Sequence, residues 1–179
     1  MDEDLRAELL AMAEADQEFR HRWASLSQEE VRQELAREHA RSARAAELVA
    51  KYGWPGRSLV GQDGANAAWL LIQHADHDVE LQERCLELLR DAVAAGEASP
   101  PDLAYLTDRS CVNRGRNQIY GTQFHGRGET FAPCPIDDRE HLDERRASAG
   151  LEPFAEYEAR MHELNRRTCS DGRSARRGP

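Results

Sequence analysis

Trp69-Leu70-Leu71-Ile72-Gln73-His74-Ala75-Asp76-His77-Asp78 is the stretch on which the reading of this chain turns. An apolar run drives directly into Gln73, His74, Asp76 and His77. The run predicts a helix, and a helix that buries Trp69, Leu71 and Ile72 carries at least part of that polar cluster inside with it. An unsatisfied buried polar group costs about 1–3 kcal/mol, so these groups need partners there. A sequence that accepts such a conflict usually has a site at that place. Further on, Leu70, His74, Leu81 and Cys85 fall near one face. Val79, Gln82, Leu86, Leu89 and Val93 continue an apolar stripe to Gly96, with Gln82 as a second polar intruder. Whether the helix is continuous or bends at 76–78 is left open.

Upstream, residues 2–24 read as an amphipathic helix, because Leu5, Leu9, Met12, Asp16, Phe19 and Trp23 recur at helical spacing on one stripe. Asp16 interrupts that stripe. Arg20 lies one turn further, so Asp16 is either half of an edge pair or an acid pointing into a pocket. Ser27-Gln28-Glu29-Glu30 is a capping box that opens a helix to about Tyr52. Its thin stripe is Val31, Leu35, His39, Ser42, Ala46 and Val49, on which His39 reads as a hydrogen-bonded core histidine. The short link predicts an antiparallel pair of helices. Gly53-Trp54-Pro55-Gly56 ends the second helix, and the segment through Gly64 reads as a loop. Its glycines match neither a dinucleotide fingerprint nor a P-loop.

Downstream, Ser99-Pro100-Pro101-Asp102 caps a shorter helix ending near Asp108-Arg109. From Ser110 the period changes. Asn113–Arg116 is a turn. Gln118, Tyr120, Thr122 and Phe124 then alternate with Ile119, Gly121 and Gln123 as in a strand. His125–Gly128 is a second turn and 129–134 a returning strand, which Pro133 and Pro135 make an edge or end. Helices follow over 138–149 and 153–166. From Arg167 the chain is polar and arginine-rich, without an apolar pattern. The expected fold class is mainly α. It comprises a single helical domain over 1–166, a small antiparallel β-hairpin within 111–135 and a disordered tail over 167–179.

Composition narrows the function classes. A chain of 179 residues with 40% hydrophobic and 32% charged residues and a mean hydropathy of -0.78 predicts one soluble domain. No apolar run approaches the roughly 18–20 residues of a membrane span. The acidic N-terminus lacks a signal peptide's pattern, so the cytoplasm is the expected compartment and no membrane partner is expected. A net charge of -9 leaves the body without the basic face that nucleic acid requires. Cys85, Cys111, Cys134 and Cys169 form no C-x-x-C pair, which argues against a zinc ribbon and for free thiols. Cys85 reads as a core residue. Cys111 and Cys134 flank the expected hairpin and are candidate reactive thiols. Oligomeric state is open.

Several motifs follow one another in a recognisable order: Gly53-Trp54-Pro55 with Gly61, Gln73-His74-Ala75-Asp76, Gln82, Leu106-Thr107-Asp108-Arg109, Gln118-Ile119-Tyr120-Gly121-Thr122-Gln123, and Arg145-Arg146 with Gly150-Leu151 and Tyr157. This pattern resembles an uncharacterised bacterial domain family of unknown function. The resemblance covers about Asp16 to Tyr157, with Asp16-Gln17 and Arg20 as its first element. It supplies no reaction. It implies that these polar positions belong together as one constellation.

The candidate catalytic residues are His74, Asp108 and Asp16. The candidate substrate-binding residues are Arg20, Gln73, Asp76, Gln82, Arg109, Gln118, Tyr120 and Gln123. An imidazole is the natural proton-transfer group, and Asp16, Asp76 or Asp108 would orient His74. Glutamines both donate and accept, which suits a small polar ligand, and Arg20 or Arg109 suits a carboxylate or phosphate. No Ser-His-Asp or Cys-His motif is present. The favoured expectation is a metal-independent acid/base hydrolase, lyase or isomerase acting on a polar small metabolite, with no cofactor. A divalent metal at His74 and His77 ranks lower, since no second His/Glu motif accompanies it. The alternative is a non-catalytic small-molecule binding or interaction module whose polar residues form a buried network. The sharpest geometric expectation is that His74 touches at least two of Asp16, Gln82, Asp108, Arg109, Gln118 and Gln123, lining one cavity.

Overall fold

Local signals set the first two helices in the computed structural model, which describes residues 1–175, with side chains to Thr168 other than that of Ala24. Asp2 caps α1 (Glu3–Arg22) by accepting from the Leu5 amide at 3.0 Å. Ser27 and Glu30 form both halves of the capping box that opens α2 (Gln28–Tyr52). The mainly α class is what the structure has. Five more helices follow among the described residues: α3 (Arg57–Gln73), α4 (Val79–Ala94), α5 (Pro100–Asn113), α6 (Leu142–Ser148) and α7 (Phe154–Ala175). The only sheet among them is one antiparallel pair, β1 (Phe124–His125) with β2 (Ala132–Pro133). None of these helices is long and apolar enough to cross a membrane. The chain falls into two compact units, Met1–Leu106 and Thr107 onward.

In the first unit, Leu5, Leu9 and Ala13 of α1 pack with Val60, Ala65, Ala68, Leu71 and Ile72 of α3 in one apolar cluster. Alanines on the α3 face let the two helices approach closely. Of α2 only the C-terminal half is buried, through Ser42, Ala45, Leu48 and Val49. At 25 residues α2 is longer than α1 or α3, and its first half has little core to lie on. His39 therefore departs from the expected core position. It is exposed, and its ring stacks on His77 at 3.9 Å between centroids.

The segment through Gly64, expected as loop, is helical from Arg57. The helix is interrupted only at Gly61, whose φ of 73° lies in the left-handed region. Gly64 is needed for packing, because a Cβ there would stand 2.8 Å from that of Val60. The bend left open in the sequence is a full break. Helix α3 ends at Gln73, His74 is its C-cap, and Asp78 restarts the chain as α4 by accepting from the Leu81 amide at 2.9 Å.

In the second unit the hairpin is present but shorter than expected, with Phe124 opposite Pro133 and His125 opposite Ala132. Residues 118–123 alternate like a strand yet pair with no neighbouring strand, apart from a single bridge between Gln118 and Ile136. The amides of Ile119, Tyr120, Thr122 and Gln123 turn instead to side chains, as described below. Gly121, at φ 71°, lies against the Phe154 ring, which a Cβ would meet at 2.8 Å. The helix expected over 138–149 is confined to α6, after a 3-10 turn at Arg139–His141. Helix α7 runs beyond the expected 166 to Ala175. The tail expected from Arg167 falls in part on residues 176–179, outside the described residues.

Candidate functional site

Asp16 and Arg20 stand one turn apart on α1, and His74 closes α3. The Asp16 Oδ2 atom lies 2.7 Å from His74 Nδ1, 3.1 Å from Arg20 Nε and 3.0 Å from Gln17 Nε2. Asp16 is only 2% exposed, whereas the His74 side chain keeps 18% of its surface open. Arg20 Nε also points its N–H at His74 Nδ1 from 2.8 Å, and Arg20 Nη2 donates to Glu38 of α2 at 2.7 Å. The carboxylate at 2.7 Å calls for a proton on Nδ1 and the Arg20 donor at 2.8 Å for a lone pair there; the shorter contact and the full charge of the carboxylate favour the proton. A bare Nδ1 lone pair would face the carboxylate charge at 2.7 Å. A protonated Nδ1 donates to Asp16 instead, and leaves Nε2 as the acceptor.

Burial raises the Asp16 carboxyl, but the hydrogen bonds and charges of His74 and Arg20 outweigh it and bring the pKa down to about 2. Its folded value lies below the ordinary carboxylate value of 3.8, so its stabilisation is complete above about pH 4 and is lost as pH falls through about 2. The loss amounts to about 2 kcal/mol. Urea titrations between pH 5 and pH 2 should show it, and Asp16→Asn should flatten that part of the profile. An acid limb unchanged in the variant would remove Asp16 as its source.

The neighbours of this group differ in kind. Gln82 is fully buried, and its Nε2 donates to the carbonyls of Ile72 and Gln73 at 3.2 Å each. It thereby satisfies the end of α3. Gln73 is buried with one long bond, from Nε2 to the Tyr105 carbonyl at 3.5 Å, and its Oε1 has no donor among the described residues. Asp76 and His77 are exposed. Partial desolvation, then the nearby His39, holds His77 below the ordinary histidine range.

The remaining candidates form a second hydrogen-bonded group, in the second unit. The Asp108 carboxylate accepts from the amides of Ile119, Tyr120 and Thr122 at 2.7, 2.9 and 2.8 Å and from the Thr122 hydroxyl at 2.9 Å. Burial pushes its carboxyl up while these donors pull it back. Gln118 donates to the carbonyls of Gln123 and Cys134 and accepts from the Gln123 amide at 2.8 Å. Arg109 Nη1 donates to Gln123 Oε1 at 3.0 Å. Around the same loop, Arg145 bonds the Ile119 carbonyl, Arg146 that of Tyr120 and the Tyr157 hydroxyl that of Thr122.

Of the partners expected for His74, Asp16 is bonded to it directly, Gln82 reaches the backbone of the two residues before it, and the others belong to the second group. Glu38 and Thr122 were missed. Glu38 lies off the apolar stripe of α2 and carries no signal in the sequence, whereas Thr122 stands in the Gln118–Gln123 motif and in an apparent strand but is not among the candidate site residues. Neither Cys85 nor Cys134 is an activated thiol. Burial pushes Cys85 up to about 12 and raises Cys134 as well. Among the described residues no group of three or more His, Cys, Asp or Glu side chains could hold a metal ion.

Residues 3–165 match the sequence profile of a family of unknown function. The chain belongs to that family, DUF6624. No curated protein matches the chain, and no solved structure does. The DUF6624 match takes in both hydrogen-bonded groups and ends within α7.

Proposed function

We propose that this DUF6624 chain is an acid–base enzyme for a polar small metabolite, with His74 moving the proton. The observation that carries the reading is the 2.7 Å contact of a buried Asp16 with Nδ1 of a partly open His74. Asp16 fixes the tautomer and ring orientation, and Arg20 holds the Asp16 charge in place. Nε2 then takes a proton from substrate or returns one, as a general base within hydrogen-bond reach does. Gln73 and Asp76, neighbours of His74 in the chain, are the proposed polar contacts, and Arg20, 2.8 Å from His74 Nδ1, is the cation for an anionic substrate group. Hydrolysis, elimination and isomerisation all fit such a base; a covalent nucleophile is not part of the proposal. The proposed setting, a bacterial cytoplasm with a small polar ligand as partner, rests on the sequence reading alone.

For the second group the buried-network reading is favoured, because Asp108 and Gln118 have both ends of their polar side chains bonded within the unit. In this reading Asp108, Arg109, Gln118, Tyr120 and Gln123 build the scaffold and touch no substrate.

Two measurements test the proposal. Nitrogen NMR of the histidines should show His74 with its proton on Nδ1; a proton on Nε2 would overturn the assignment. His74→Gln keeps most of the volume and some hydrogen bonding but cannot titrate. It should melt within about 2 °C of the parent, while stabilisation by a panel of polar metabolites disappears. A fall of about 1–3 kcal/mol in stability, with ligand response kept, would instead make His74 part of a structural network.

A further inference from the structure

On the flank of α1 and α2, toward their connecting turn, lies a cleft of about 310 Å³. Phe19 and Leu26 form its apolar wall, and Arg22, Arg37, Arg41 and Glu34 its polar one. None of the proposed proton-transfer residues lines it. On α1, Ala15 and Phe19 face the cleft, while Asp16 and Arg20 point roughly a quarter-turn away. The volume is at the small end of the range for small-molecule sites.

The arginines are in different states. Arg37 is paired with Glu34 one turn before it. Arg41 is not paired: its Nε and Nη2 are buried and have no acceptor among the described residues. A guanidinium hydrogen bond to an anion is among the stronger contacts available, so two buried donors without one are an unfilled demand. With the Arg37–Glu34 pair set aside, Arg22 and Arg41 face Glu18, and Glu30 acts on Arg22 as well, so the charges balance and the demand for an anion comes from the unfilled donors of Arg41. A forked donor without an acceptor and an aromatic wall together define a ligand.

We infer that this cleft binds a small organic acid, a monocarboxylate with an apolar body. Its carboxylate lies on the Nε–Nη2 edge of Arg41 and its body on Phe19 and Leu26. Binding turns the guanidinium so that this buried edge meets the carboxylate. The site is independent of the Asp16–His74 group, and its test involves neither residue.

The test uses the full chain and 4-phenylbutyrate as probe, followed by NMR titration, with 4-phenylbutyramide and inorganic phosphate as the other arms. The carboxylate should shift the signals of Ala15, Phe19 and Leu26 saturably. The neutral amide should bind about tenfold more weakly or not at all, and so should phosphate, which lacks the apolar body. Arg41→Gln should weaken the carboxylate about tenfold or more without lowering the melting temperature, since it removes buried unpaired donors. Arg37→Gln should change affinity little. Unsaturable or scattered shifts, equal binding of the amide, equal binding of phosphate, or an unchanged affinity in Arg41→Gln would each overturn the proposal. The amide comparison is made on the unaltered protein, so it decides even if Arg41→Gln folds poorly.

Discussion

Asp108→Asn should destabilise the protein by about 3–5 kcal/mol, the loss typical of breaking a buried, charge-assisted network. The carboxylate accepts four hydrogen bonds, two on each oxygen. An asparagine has one acceptor oxygen. If that oxygen serves Ile119 and Tyr120, the new NH2 faces the Thr122 amide and hydroxyl; turned over, it faces two backbone amides. The Thr122 hydroxyl can rotate and accept, but a backbone N–H cannot. At least one buried amide loses its partner in either orientation, and the loop has no strand ladder to offer in exchange. Urea titration gives the magnitude, and amide shifts of Ile119, Tyr120 and Thr122 locate it. A midpoint close to that of the parent would show that the loop holds its shape without the anion.

Arg146→Met should come next, at about 3–4 kcal/mol. The Arg146 side chain is 1% exposed. Its Nε donates to the Glu152 carbonyl at 2.7 Å and its Nη1 to that of Tyr120 at 2.6 Å. The guanidinium lies 4.8 Å from the centre of the Tyr157 ring and 5.7 Å from that of Phe154. Among the described residues no carboxylate pairs with it, so the aromatic faces and the two carbonyls hold the charge. Methionine fills the stem volume but leaves both carbonyls without a donor. Denaturant titration again decides. A variant as stable as the parent would show that the desolvation of the guanidinium cancels what its contacts contribute, as it does for some buried ions.

These two residues also show how far the sequence could be read. The Ser27 cap was legible because it is local: its hydroxyl accepts from an amide three residues on. Asp16 was legible as a polar interruption of an apolar stripe, and the structure gives it His74 and Arg20 as partners. The break after Gln73 was not settled, because His74 to Asp78 hold no proline or glycine, and tertiary bonds from Gln82 close the end of α3. Residues 118–123 were misread for a related reason. Their alternation has a strand's period, but their amides are captured by a carboxylate eleven to fourteen residues earlier. Periodicity reports which faces are apolar; it is blind to where an amide finds its acceptor. His39 was misplaced because a stripe does not reveal how much of a long helix has a core beneath it.

The loop around Asp108 can be put in the language of host and guest. Three backbone N–H groups within four residues converge on one anion, as donors do in a synthetic anion receptor, except that the guest is tethered to the host's own chain. A receptor of this kind is defined by ring size. Adding or removing one residue between Ile119 and Thr122 would swing a donor out of the ring and leave the carboxylate partly naked in an apolar interior. Changing a side chain that points away would leave the ring intact. Variation in this stretch, natural or engineered, is therefore free in composition at the outward positions and nearly closed in length.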